Sequence, residues 1–127
     1  AAPRSGVTSG SSTVTDLAPG DVVWVAPDPT VGREQAGRRP AVVVSGIDYL
    51  TTVETLAIVV PITSVDRGWP NHVPLGDVGL PQRSWAMTEQ VRTISRTRIV
   101  DRAGRVDASD LHALRGWGRD FLDMWPA

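Results

Sequence analysis

Apolar residues fall in short runs broken by Pro, Gly and Asp, a pattern that predicts many short strands before one late helix. Val22, Val23, Trp24 and Val25 form a continuous β-favouring run after a Pro-Gly turn, so Asp21 to Ala26 is predicted as a buried strand. Ala41 to Ser45 is a second strand, and Thr55 to Ile62 a third with Thr63 at its exit. His72 to Leu75 is a short strand that Pro74 assigns to an edge, because proline has no N–H to give the ladder. Ser84 to Met87 and Gln90 to Ile94 follow as strands, and Arg98 to Val106 is expected to form a short hairpin around Ala103-Gly104.

The period then changes from two to between three and four. Leu111, Leu114, Trp117, Phe121 and Trp125 make one apolar helix face, with Asp107 as N-cap and Asp110 three positions on as an imperfect capping box. Gly116 and Gly118 weaken that helix by roughly 1 kcal/mol each relative to Ala, so packing must hold it, and its aromatic stripe reads as core. The fold class expected is mainly β (α+β): a small, strongly bent antiparallel barrel with a C-terminal amphipathic helix. No internal repeat or second domain is evident.

Between the first two strands, Asp28 to Arg39 reads as a loop holding two Gly and five charges. Loops this long in a compact domain are usually functional or disordered. Positions 1 to 14 are small and polar and read as a disordered N-terminal segment or an expression remnant, with a natural start near Thr15 and one domain over residues 15–127. A domain of this size buries a modest share of its surface, which makes a homodimer the default.

The net charge of -1 hides an asymmetry, since all thirteen basic residues are Arg and many cluster in Gly32 to Pro40 and Arg92 to Arg105. Guanidinium pairs with phosphate through two parallel hydrogen bonds. The second cluster is equally compatible with ordinary solvated faces. There are no cysteines, so disulfide and thiolate sites are excluded. His72 and His112 lie far apart and read as surface residues, and no metal site is expected. Phosphate-binding loops and nucleophile elbows are lacking too. No apolar run approaches the roughly 20 residues that cross a bilayer and no signal peptide is evident, so a cytoplasmic protein is expected.

What remains is the loop: Glu34, Gln35 and Arg39 offer a carboxylate, an amide and a cation, with Gly32 and Gly37 permitting tight backbone conformations and close approach of a ligand. Alone this is a common pattern. In order with its neighbours it is not: GDVVWVAPDPTVGREQAGRRPAVVVS, then IVVPITS, then EQVRTI resemble the successive blocks of the MazF/PemK-like endoribonuclease toxins of toxin-antitoxin systems. The resemblance spans about Gly20 to Met124.

The resemblance implies an SH3-like barrel, a symmetric homodimer, and cleavage of single-stranded RNA within a short sequence without metal or other cofactor. By motif it carries catalytic roles to Arg39, Thr63 and Glu34, and a lining of the RNA groove to Gln90 and Arg92. Arg33, where many relatives have Ser, adds a phosphate contact or shifts base preference; Gln35 and Arg38 flank it in the same segment. An antitoxin with an acidic, disordered segment is the implied partner. Arg39 suits stabilisation of a developing phosphorane and cannot serve as a base. Thr63 can donate to a nonbridging oxygen, while Glu34 stays open between accepting the 2′-OH proton and orienting Arg39.

Without the ordered blocks, Arg39 would read as a salt bridge to Glu34 and Thr63 as a strand-end hydroxyl. Trp85 reads as core; Trp69, beside Arg67 and Asn71, is open between an RNA or antitoxin contact and a local cap. Two other classes compete: a CcdB-like toxin of the same fold that binds DNA gyrase without catalysis, and a degraded relative kept as a decoy.

Overall fold

Valine fills both faces of the central strands, and that is why their sequences run apolar without alternation. In the computed structural model, which describes residues 16–27 and 37–123, the elements are β1 (Asp21–Val25), β2 (Arg39–Val43), α1 (Ile47–Thr52), β3 (Leu56–Thr63), β4 (His72–Leu75), β5 (Ser84–Met87), β6 (Arg92–Ser95), β7 (Ile99–Arg105) and α2 (Ala108–Leu122). Val23, Val25, Ala41, Val43, Ala57 and Val59 pack on one side with Leu50 of α1, Ile94 and Ile99. Val22, Val42, Val60 and Ile62 pack on the other with Val73, Leu75, Val106 and Leu114 of α2. Neighbouring residues thus serve opposite cores, as the two-residue period of a strand requires.

The strands form one seven-stranded antiparallel sheet in the order β4-β5-β3-β2-β1-β7, with β6 also pairing β3. β3 changes partner along its length: Leu56 to Val59 pair with β6, whereas Ile62 and Thr63 pair with β5. A fork opens between the two partners, bridged by the short 3-10 turn Thr88–Gln90. β4 is at the sheet edge, as Pro74 requires, with Pro74 exposed at its midpoint and set opposite Trp85.

The hairpin expected over Arg98 to Val106 is instead the single strand β7, because Gly104 and Arg105 continue the pairing with Val22 and Asp21. The turn signal marks an irregularity in register between Val22 and Val23, and a close backbone approach. A Cβ on Gly104 would stand 2.3 Å from the Val78 carbonyl oxygen, and one on Gly79 would stand 2.1 Å from that of Ala103. The segment leaving the β4 end of the sheet is thereby laid on the strand at the opposite end.

Asp107 caps α2 by accepting the Asp110 N–H at 2.8 Å, as its position predicts. Leu114 is buried and Leu111 and Trp117 partly so, but Phe121 is 50% exposed, so the helix leaves the sheet before its apolar face ends. Trp125 lies outside the described residues. α1 was not foreseen: Ile47–Thr52 is six residues long with no side-chain cap. Its C-terminal carbonyls are satisfied from far away, Arg96 donating to Leu50 and to Val53 at 3.0 Å, while Arg96 Nε also donates to Leu56 of β3 at 2.9 Å. Buried Asp21 meets Arg105 at 2.9 Å and Arg102 at 3.3 Å, pinning the start of β1 to the end of β7. Among the described residues no helix is long and apolar enough to cross a membrane.

Candidate functional site

A cleft of about 670 Å³ lies at the β3 fork. The exit of β1, the entry of β2 and the exit of β3 form its floor, and β5, β6 and Arg98 close the far side. Three arginines line it, Arg39, Arg92 and Arg98, and no Asp or Glu does so among the described residues. Three guanidinium groups lining one cleft suit it to an anion.

Arg39 opens β2 and is exposed, opposite Val25 of β1. Continuing the β2–β3 register two residues beyond the Ala41–Pro61 pair sets Arg39 opposite Thr63, and both line the cleft. Pro40 adjoins Arg39 and Pro61 stands in the last pair of the ladder, so the β2–β3 pairing stops just before these two side chains. The Arg39 guanidinium has no ion-pair or hydrogen-bonding partner among the described residues. Thr63 Oγ1 accepts the Val65 N–H at 3.1 Å, which occupies one lone pair and leaves the hydroxyl proton for a ligand.

Gln90 and Arg92 also line the cleft, from the corner between β5 and β6. Arg92 and Ile94 share one face of β6 by its two-residue period, and the 3-10 turn Arg96–Arg98 then brings Arg98 back to the same space. Arg98 is held there by donating Nε to the Ala26 carbonyl at 3.0 Å. It belongs to the second arginine cluster, and no local signal separated it from Arg96, which serves α1, or from Arg102 and Arg105, which serve Asp21.

The remaining expectations divide. Arg33, Glu34 and Gln35 lie outside the described residues, although Pro27 and Gly37, on either side of that segment, both line the cleft. Arg38 is exposed and stands over the Trp24 ring, 5.9 Å from its centroid, without lining the cleft. Trp69 and Asn71 do not line it either; they belong to a cluster beside it. Trp69, 48% exposed, has Arg67 on it at 5.8 Å and packs against His72 at 4.7 Å between centroids. Trp85 is buried, as expected.

His72 corrects its surface assignment, being 4% exposed. It begins an edge strand, yet Trp69 covers its ring and Glu89 takes its Nε2 with both carboxylate oxygens at 3.1 Å. His112 is exposed. Among the described residues no group of three or more metal-ligating side chains occurs.

Comparison with known proteins sets this geometry in context. The family profile for the PemK-like, MazF-like toxin of type II toxin-antitoxin systems matches residues 18–117. The chain is 37% identical over 97 residues to the endoribonuclease toxin MazF of Escherichia coli, covering 76% of this chain and 85% of that protein. It is 34% identical over 92 residues to endoribonuclease EndoA of Bacillus subtilis, covering 69% and 78%. Among solved structures, MazF from Deinococcus radiodurans superposes with a TM-score of 0.70 at 31% identity, over 85% of this chain and 97% of that one. The structure of MazE-MazF from the same organism gives 0.74 at 30% identity, over 86% and 97%.

Proposed function

Since the chain belongs to the PemK-like, MazF-like toxin family of type II toxin-antitoxin systems, we propose that it is a sequence-specific, metal-independent endoribonuclease that cuts single-stranded RNA and so inhibits translation and growth. The observation that carries this reading is the pairing of Arg39 with Thr63 on a cleft whose described charges are all positive.

The chemistry needs few parts. The ribose 2′-oxygen attacks the adjacent phosphorus in line, the P–O5′ bond breaks, and a 2′,3′-cyclic phosphate and a 5′-hydroxyl result. One proton leaves the 2′-OH and one reaches the departing 5′-oxygen. Negative charge on the nonbridging oxygens rises in between, where a fixed guanidinium and a hydroxyl donor stabilise it more than they stabilise the ground state. Arg39 supplies the first and Thr63 the second. Glu34 takes the 2′-OH proton or orients Arg39. Gln90, Arg92 and Arg98 hold the flanking nucleotides, and Arg33, Gln35, Arg38, Trp69 and Asn71 extend the contact outside the cleft.

In the same reading residues 15–127 form a single toxin domain whose sheet curls into an SH3-like barrel. The approach of Val78 and Gly79 to Ala103 and Gly104 supports that curvature. The protein works as a homodimer in the cytoplasm, and its antitoxin neutralises it by laying an acidic, disordered segment in the arginine-lined cleft. The curated relatives are named endoribonucleases, which favours RNA cleavage over the gyrase-binding alternative.

The test is incubation of the purified protein with a long single-stranded RNA in EDTA and mapping of the ends. Cyclic phosphate ends clustered in one short sequence, lost in Arg39→Ala and Thr63→Ala, are expected. An uncut RNA, or cutting indifferent to both substitutions, rejects the reading.

A further inference from the structure

Beside the cleft, a chain of side-chain contacts runs from buried His72 to the cleft-lining pair Gln90 and Arg92. Glu89 sits at its centre. Its Oε1 accepts from Asn71 Nδ2 at 2.7 Å, and both its oxygens take His72 Nε2. Asn71 is held in turn by Thr88, whose hydroxyl donates to the Asn71 carbonyl at 2.7 Å. The free end of the chain is Gln90, which donates Nε2 to Glu89 Oε2 at 3.3 Å and accepts on Oε1 from Arg92 at 3.5 Å.

An amide's oxygen and nitrogen have nearly the same shape, so only its neighbours decide which way round it sits. Here the two neighbours agree. A carboxylate only accepts, so the Gln90 atom facing Glu89 is nitrogen; a guanidinium only donates, so the atom facing Arg92 is oxygen. We propose that Glu89 is a positioning residue that locks the Gln90 amide in one sense and thereby sets which base edge the cleft admits. The proposal rests on the RNA-cleaving reading above.

The locked amide has a definite chemistry. Its nitrogen is engaged by Glu89 and by the Met87 sulfur at 3.6 Å, which leaves acceptor capacity on the oxygen for a ligand. Gln90 therefore selects a base edge that presents an amino or imino N–H and rejects one that presents only acceptors, such as the N7/O6 edge of guanine. The Glu89 carboxyl stays ionised below its ordinary range: burial opposes this, and hydrogen bonds from His72, its own backbone N–H and Gln90 outweigh it. The acceptor-only character on which the lock depends thus persists into acid.

The test is sequencing of the ends left on a random-sequence RNA pool by the wild-type protein and by Glu89→Gln, Glu89→Asp, Gln90→Met and Arg92→Met, with thermal melts of each. The amide introduced by Glu89→Gln donates as well as accepts, so preference at one base position is expected to fall about tenfold. Gln90→Met and Arg92→Met should relax that same position, and Glu89→Asp, which stays acceptor-only, should retain it. On one fixed oligonucleotide, Glu89→Gln should raise KM more than it lowers kcat. A folded Glu89→Gln protein with unchanged base preference overturns the lock; if that variant does not fold, unchanged preference in Arg92→Met overturns it. A wild type that cuts nothing overturns the lock and the nuclease reading together, whereas a selective wild type with indifferent variants overturns the lock alone.

Discussion

Gly79 and Gly104 meet backbone to backbone, each occupying the space in which the other's neighbour would strike a side chain. Gly79 also holds a φ of +87°, which a residue with a Cβ rarely adopts. Adding one methyl at either position forces the loop after β4 away from β7. Gly104→Ala is expected to cost about 1 to 3 kcal/mol, and Gly79→Ala more, since it adds backbone strain to the clash. Gly116→Ala, on α2 with nothing within 4 Å of the new methyl, should instead stabilise by up to about 1 kcal/mol. Chemical denaturation of the three variants checks the order.

Thr63 offers a cleaner dissection of the site than deletion does. Thr63→Ser keeps the hydroxyl that accepts from Val65 and donates onward, while Thr63→Val keeps the shape and loses both. On the nuclease reading, Thr63→Val should lower kcat by about 10²-fold or more and Thr63→Ser by much less, with Arg39→Ala losing about 10²- to 10³-fold. Equal losses in Ser and Val variants would place the effect in packing.

Salt dependence counts the cleft's working charges. If Arg39, Arg92 and Arg98 each neutralise one phosphate of a single strand, log K against log salt should have a slope near -2, from about -0.7 per contact. Arg98→Ala should make the slope shallower by about 0.7, and Arg96→Ala should leave it alone while lowering the thermal midpoint, because Arg96 serves the α1 carbonyls. An unchanged slope in Arg98→Ala would remove that residue from the binding surface.

The Glu89 network has a signature in acid. Its folded pKa lies below the ordinary 4.5, so the stabilisation it gives is present in full above that value and is lost as pH falls through the folded pKa. The margin by which the wild type's thermal midpoint exceeds that of Glu89→Gln should shrink as pH falls below 4.5. A margin indifferent to pH would mean that the carboxylate's charge is not its source.

The elements that could be read from the sequence are those whose cause is local. The valine runs, the Asp107 cap and the edge proline each state their own geometry, and the strands appeared where those signals stand. What escaped was held from a distance. α1 forms because Arg96 reaches its carbonyls from the far side of the sequence, and His72 is buried because Trp69 and Glu89 close over it. The second arginine cluster looked uniform, yet its members separate to the cleft, to α1 and to Asp21. Ordered motif blocks singled out Arg39 and Thr63, which both line the cleft; the division of the other arginines is a property of register, which one-dimensional spacing does not carry.

One outer strand of the sheet, β4, bears on how the protein fares at high concentration. β4 is short, and at its midpoint Pro74 has no proton on its nitrogen to offer to an incoming strand. An edge so interrupted makes a poor template for a cross-β ladder, so pairing of copies through β4 is disfavoured. Pro74→Val should restore the missing donor at the one exposed position of this edge and bring earlier turbidity on concentration, with the fold otherwise intact.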